Sequence, residues 1–241
     1  MIIVVVNQKG GVGKTTLATH VAAWHLERGR RVAFIDADGQ SSSTRWLKAG
    51  GFPVTLVTEA RPDPIIETAK DLRTTHDVII ADGPANLAES TRALLLVADF
   101  ALVPCGVTVP ELESTAETIR MIKNARLVRA GEKPHANIVL TRVRNDRFVL
   151  TREAHEAVRL LGLPVCENVM RLREATADAA GQRTVVWKMR GKARLAANEM
   201  LQLLEEIDQH AKQKTNNNGS ADSRAESLPA GRFASPRVAN A

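Results

Sequence analysis

The chain has 241 residues, of which 44% are apolar and 25% charged, with a net charge of +6 and a mean hydropathy of -0.15. Enough apolar material is present for one sizeable core, so a wholly disordered chain is excluded, and no run approaches the roughly 18 consecutive apolar residues of a membrane span. Two cysteines, Cys105 and Cys166, exclude a disulfide framework and suit a reducing, cytoplasmic setting. The apolar start Ile2 to Val6 is too short, and lacks the basic leader, for a secretory signal.

Short Val/Ile-rich runs alternate with longer helical patterns, the signature of a mostly parallel sheet with helices on both faces. Strands are expected at Ile2 to Val6, Val32 to Asp36, Val54 to Val57, Val78 to Ala81, Ala101 to Val103, Asn137 to Leu140, and more weakly near Val165. Helices are expected at Lys14 to Arg28, Ser41 to Lys48, Pro64 to Arg73, Leu87 to Val97, Glu111 to Arg129, Phe148 to Leu161 and Lys192 to Ala211. Residues 1–211 thus read as a single α/β domain. Residues 212–241 are polar and poor in large apolar groups, and read as a disordered, basic tail.

Between the first strand and first helix lies Asn7-Gln8-Lys9-Gly10-Gly11-Val12-Gly13-Lys14-Thr15-Thr16. Inward-pointing N–H groups of such a loop, together with the positive end of the following helix, suit a polyphosphate. Lys14 supplies a charge for the β- and γ-phosphates, Thr15 a hydroxyl for Mg²⁺, and Thr16 a hydroxyl for the α-phosphate. The ordinary pattern asks for glycine where Gln8 stands, and a second lysine, Lys9, precedes the glycine pair.

KGGVGKTT with that extra lysine is a deviant Walker A loop, and through it the chain resembles the ParA/MinD family of dimerising P-loop NTPases, especially the small, ParF-like partition proteins. The resemblance covers approximately residues 1–210. It implies ATP and Mg²⁺ as ligands, with Lys9, Gly10, Gly11, Val12, Gly13, Lys14, Thr15 and Thr16 on the nucleotide. It also implies that Lys9 reaches across a two-fold axis to the phosphates of a second copy, making ATP the adhesive of a homodimer.

Asp36 and Asp38 end the second strand, where ligand groups gather in open parallel sheets. The resemblance gives Asp38 the orientation of the attacking water and Asp36 a supporting place in the metal shell, although Gly39 stands where proline is usual. The run Val78 to Ala81 followed by Asp82 looks like a Walker B strand, with Asp82 as a carboxylate for the Mg²⁺ shell. Catalysis is therefore assigned to Lys9, Lys14 and Asp38, and metal binding to Thr15, Asp36 and Asp82. The segment Pro110 to Glu113 resembles an exit loop that contacts the partner subunit.

Residues 1–120 carry 12 Lys/Arg against 14 Asp/Glu, whereas residues 121–241 carry 21 against 13. A polyanion is therefore expected on the C-terminal half. The segment around Arg171 resembles the one that ParA proteins use on DNA. Arg142, Arg144, Arg147, Arg171, Arg173, Arg190, Lys192 and Arg194 are the expected contacts, and Arg142 suits the adenine equally well. With aromatics at 3% and no tyrosine, such contacts should be to phosphates and indifferent to sequence.

The implied activity is slow ATP hydrolysis by a nucleoid-associated ATPase, stimulated by a ParB-like or other cargo adaptor, that segregates plasmid or chromosome. A protein organelle as cargo is the alternative. A MinD-like membrane positioner is a further one, but it needs a basic amphipathic C-terminal helix, and the last helix carries Glu199, Glu205 and Glu206, so stable membrane association is not expected. His20 and His25 read as packing or surface residues. Nitrogenase iron proteins share the fold and use two cysteines, but within glycine-rich segments absent here.

Overall fold

In a computed structural model, residues 1–86, 88–145, 147–191 and 193–225 are described, with side chains as far as residue 213. Seven strands form one sheet: β1 (Ile2–Val5), β2 (Val32–Asp36), β3 (Thr55–Thr58), β4 (Val78–Asp82), β5 (Phe100–Cys105), β6 (His135–Val143) and β7 (Met170–Arg171). Their order is β3-β2-β4-β1-β5-β6-β7 and every pairing is parallel. The expected α/β sheet with two covered faces is what is observed.

Alternation along β1 shows why both faces are covered. Ile2, Val4 and Val6 point into one cluster with residues of α3 (Pro62–Thr75), α4 (Ala88–Val97), α5 (Val109–Val128) and α6 (Val149–Leu160). Ile3 and Val5 point the other way, toward α1 (Lys14–Leu26), α2 (Ser42–Ala49) and α8 (Arg194–Ala225). Side chains such as Ile3, Leu17 and Ile79 are fully buried, each contributing about 1.5–3 kcal/mol.

Register places the chemistry. Asp36 of β2 lies opposite Asp82 of β4, and Asp82 lies opposite Val5 of β1, so two acids and the start of the phosphate loop meet at one end of the sheet. A one-residue slip would send each acid to a different face.

Three differences from the sequence reading have physical causes. Val165 makes only an isolated bridge to Ile138, and the seventh strand falls at Met170–Arg171, too short for periodicity to reveal. A short α7 (Glu174–Asp178) and a 3-10 turn at Val186–Lys188 were not anticipated, because their hydrogen bonds span a single turn. Helix α8 continues to Ala225, well into the segment expected to be disordered, since extending a packed helix costs far less than nucleating one. The rest of that segment, and Lys192, lie outside the described residues.

Candidate nucleotide site

The phosphate loop is built as its glycines require. Gly11 and Gly13 have φ of 76° and 92°, and a Cβ on Gly13 would run into Met170 Cε. Lys14 is buried at the start of α1, and its Nζ donates to Lys9 O at 2.9 Å, folding the ammonium back over the loop. Burial holds its pKa below the usual lysine value, partly offset by Asp82 and Asp38. The Lys9 side chain is on an exposed residue.

Residues outside the motif brace this loop. Asn7 is fully buried: its Nδ2 donates to Pro104 O (2.8 Å) and Thr115 Oγ1 (3.0 Å), and its Oδ1 accepts from Lys9 N (2.9 Å) and Ser114 Oγ (2.7 Å). Thr141 Oγ1 donates to Val12 O at 2.8 Å, tying β6 to the loop. Sequence reading missed both; a buried asparagine directly after an apolar strand was the available signal for the first.

At the acid end, Thr15 Oγ1 donates to Asp82 Oδ2 at 2.7 Å. Asp82 Oδ1 and the Ser43 hydroxyl are both buried and make no hydrogen bond among the described residues, and Ser43 is close enough to the carboxyl to act on its charge. Burial pushes the Asp82 carboxyl up to about 7, with Asp36 adding to the rise. An orphaned carboxylate oxygen beside a threonine hydroxyl, with a hydroxyl opposite, is the oxygen-only donor set that a hydrated Mg²⁺ requires. The residues present therefore fit the group that the sequence implied, with Ser43 as an unanticipated member.

Asp36, expected to support the metal shell, holds backbone N–H groups beside Asp82. It is fully buried, and its carboxylate accepts from Asp38 N (3.2 Å) and Thr44 N (2.9 Å). Both oxygens thus pin the segment that carries Asp38. The Asp38 carboxylate in turn accepts from Gln40 N at 2.9 Å, closing a turn that Gly39 and Ser41, with φ of 49°, complete.

Arg142 has φ of 59° and donates to Glu111 Oε1 at 3.1 Å. Glu111 is buried because it closes a capping box with Thr108 at the start of α5, so this part of the expected interface loop is turned inward. A cavity of about 320 Å³ opens here, lined by Val107, Glu111, Arg142, Phe148 and Leu172 among others. Arg171 and Arg173, expected on DNA, both reach Glu199 of α8, at 3.2 and 2.6 Å. Arg144, Arg147, Arg190 and Arg194 are exposed. The expected polyanion residues are thus not gathered alike.

A β1-loop-helix carrying two lysines, with an acid pair at the neighbouring strand ends, narrows the comparison. Residues 3–186 match the family described as the CobQ/CobB/MinD/ParA nucleotide binding domain. The chain belongs to this family. Within it, the chain is 31% identical over 208 residues to the maintenance of carboxysome distribution protein A of Halothiobacillus neapolitanus, covering 84% of this chain and 94% of that one. The fold is shared with apo McdA of Cyanothece at a TM-score of 0.71 and 17% identity, covering 85% of this chain and 98% of that one. It is shared too with Pyrococcus horikoshii MinD complexed with Mg-ADP, at 0.64 and 20%, covering 88% and 98%. The family is one of nucleotide-binding domains, and the deviant Walker A lysine marks the ParA/MinD branch. No helix among the described residues is long and apolar enough to cross a membrane.

Proposed function

We propose that the protein is a ParA-type positioning ATPase that binds Mg-ATP, dimerises around it and hydrolyses it slowly. The observation that carries this reading is the meeting of Lys14, Thr15 and the orphaned Asp82 oxygen at one end of the sheet, with Lys9 exposed beside them. Lys14 would leave the Lys9 carbonyl for the β- and γ-phosphates. Thr15 and Asp82 would hold Mg²⁺, which supplies charge neutralisation at the phosphates when bound. Asp38, on a turn held by Asp36, would orient the attacking water, while Lys14 and the Lys9 side chain of a second copy offset charge on the transferring group. The cavity beside Arg142 is of a size for an adenine, and Arg142 directly follows Thr141, whose hydroxyl touches the loop.

Likeness to a relative named for carboxysome distribution favours a protein compartment as cargo over the plasmid or chromosome expected from the loop alone. Exposed Arg144, Arg147, Arg190 and Arg194 supply a phosphate-directed surface for non-specific DNA, the track along a nucleoid on which such a dimer would travel. An adaptor on the cargo would then stimulate hydrolysis and release the dimer. Residues 1–211 form the ATPase unit in this reading, with residues 212–241 as an appendage.

Sedimentation with a non-hydrolysable ATP analogue and Mg²⁺ tests the proposal. A dimer is expected for the native chain and a monomer for Lys9→Ala, with nucleotide still bound. A monomeric native complex would overturn the adhesive role of the nucleotide. Fluorescent localisation beside labelled compartments and labelled plasmid decides the cargo.

A further inference from the structure

The nucleotide reading leaves unused a second set of donors. It lies by the start of β6, at Asn137, whereas Thr141, which holds the phosphate loop, lies four residues further on, roughly 13 Å away. Cys166 is buried on the segment that follows α6, its N–H donating to Ile138 O at 2.9 Å. Glu206 and His210 come from α8, four residues apart and so on one helix face. One donor atom from each of the three side chains lies within 4.8 Å of the others.

We propose that Cys166, Glu206 and His210 form a binding site for a divalent transition-metal ion of the zinc type. Thiolate, imidazole and carboxylate together are the donor set of Zn²⁺ and not of Mg²⁺ or Ca²⁺. Bonds of about 2.0–2.3 Å at a tetrahedral centre hold ligand atoms some 3.3–3.8 Å apart, so the cluster closes on an ion with movements of about 1 Å. The ligands are already aimed by their neighbours, as metal sites require. Glu206 accepts from Glu167 N (2.6 Å), Asn168 N (2.9 Å) and Asn168 Nδ2 (2.9 Å).

Asn137, itself buried, contacts both other ligands, with its Nδ2 at 2.6 Å from His210 Nδ1 and 3.8 Å from Cys166 Sγ. Turned over, its amide presents a carbonyl oxygen as a fourth donor. That long contact is the one hydrogen bond Cys166 Sγ makes among the described residues, so a buried thiol stands beside an imidazole and a carboxylate without a strong partner of its own. An open hollow of about 690 Å³ lined by Glu206 and His210 gives an ion its entry path. On entry the thiol proton leaves to solvent, and the ion staples α8 to the segment that follows α6.

Cobalt titration of the metal-stripped full chain, without nucleotide, tests this. One equivalent of Co²⁺ is expected to give the visible bands of a tetrahedral ion and a thiolate-to-cobalt charge-transfer band, both displaced by Zn²⁺, and Zn²⁺ is expected to raise the Tm. Cys105→Ser should leave the bands and Cys166→Ser should abolish the charge transfer. His210→Gln, which keeps the thiol, should retain the charge transfer but weaken cobalt binding at least tenfold. Octahedral bands alone, charge transfer surviving in Cys166→Ser, or unchanged affinity in His210→Gln would overturn the site. Because ATP is absent throughout, none of these outcomes bears on the nucleotide reading.

Discussion

The phosphate-loop end of the sheet and the arginine-bearing edge at β7 are both rich in charge, yet the fold treats them in opposite ways. At the loop, compensation is partial: the described hydrogen bond of the Lys14 ammonium is to a carbonyl, Asp82 and Asp38 offset its burial only in part, and Asp82 keeps one buried oxygen unpartnered. At β7, Arg171 and Arg173 converge on Glu199, at 3.2 and 2.6 Å. A buried charge only partly compensated costs stability and is held for something that arrives later, whereas a closely paired one serves the fold.

Lys14→Ala is expected to break the loop side of that contrast most severely. Losing a buried charge-assisted contact to phosphate costs about 2–5 kcal/mol, roughly 30-fold to several-thousand-fold in the Kd for Mg-ATP. Titration with a fluorescent nucleotide measures it. Folding should be nearly unaffected, since the ammonium gives up one loop carbonyl. Asp38→Ala comes next, with ATP still bound and single-turnover phosphate release slowed about 100-fold or more. Undiminished turnover in that variant would remove Asp38 from the chemistry.

Asn7→Ala sharpens the same side from beneath. It strands the partners of four hydrogen bonds, at a cost of about 2–3 kcal/mol and a fall in Tm of roughly 4–12 °C. Nucleotide affinity should fall with it, because Lys9 N loses its anchor.

A fourth prediction concerns pH. His20 is fully buried, its Nδ1 donating to Thr16 O (2.7 Å) and its Nε2 accepting from Val186 N (3.2 Å), and burial lowers its pKa to about 4. His25, buried beside Arg30, is also lowered to about 4. Between the ordinary value near 6.5 and 4, the unfolded chain binds protons that the native chain refuses. Stability therefore falls as pH drops through that window and is fully present above it, by about 3 kcal/mol at most for His20. Denaturant midpoints from pH 7.5 to 4.5 should show the loss, with a shallower slope in His20→Gln.

Much of the loop end was legible in the chain because its groups are local: Gly10 to Thr16 are consecutive, and Asp36 and Asp82 each end a run of apolar residues. Asn7, Ser43 and Thr141 act there too, but they meet it only through folding, with 108 positions separating Asn7 from its partner Thr115. The same limit explains the edge. Arg171 and Arg173 stood in a segment resembling one used on DNA, and nothing in their neighbourhood showed that a glutamate 26 residues from Arg173 would meet them. Glu199, read as an argument against membrane binding, is a residue that both of them reach.

The arginines give the smallest expected effect and the sharpest test of the comparison. Each phosphate contact contributes close to one unit to the slope of log affinity for DNA against log salt. Arg144→Ala, Arg147→Ala and Arg190→Ala, at exposed positions, should each reduce that slope by about 1 in the ATP-bound protein. Arg171→Ala and Arg173→Ala should leave the slope in place and instead lower the Tm by a few degrees, as expected for partly buried pairs in which Glu199 loses one of its two arginine partners. A reversed pattern, with the slope carried by Arg171 and Arg173, would mean that DNA outcompetes Glu199, and the β7 edge would then be a binding surface held shut by its own acid.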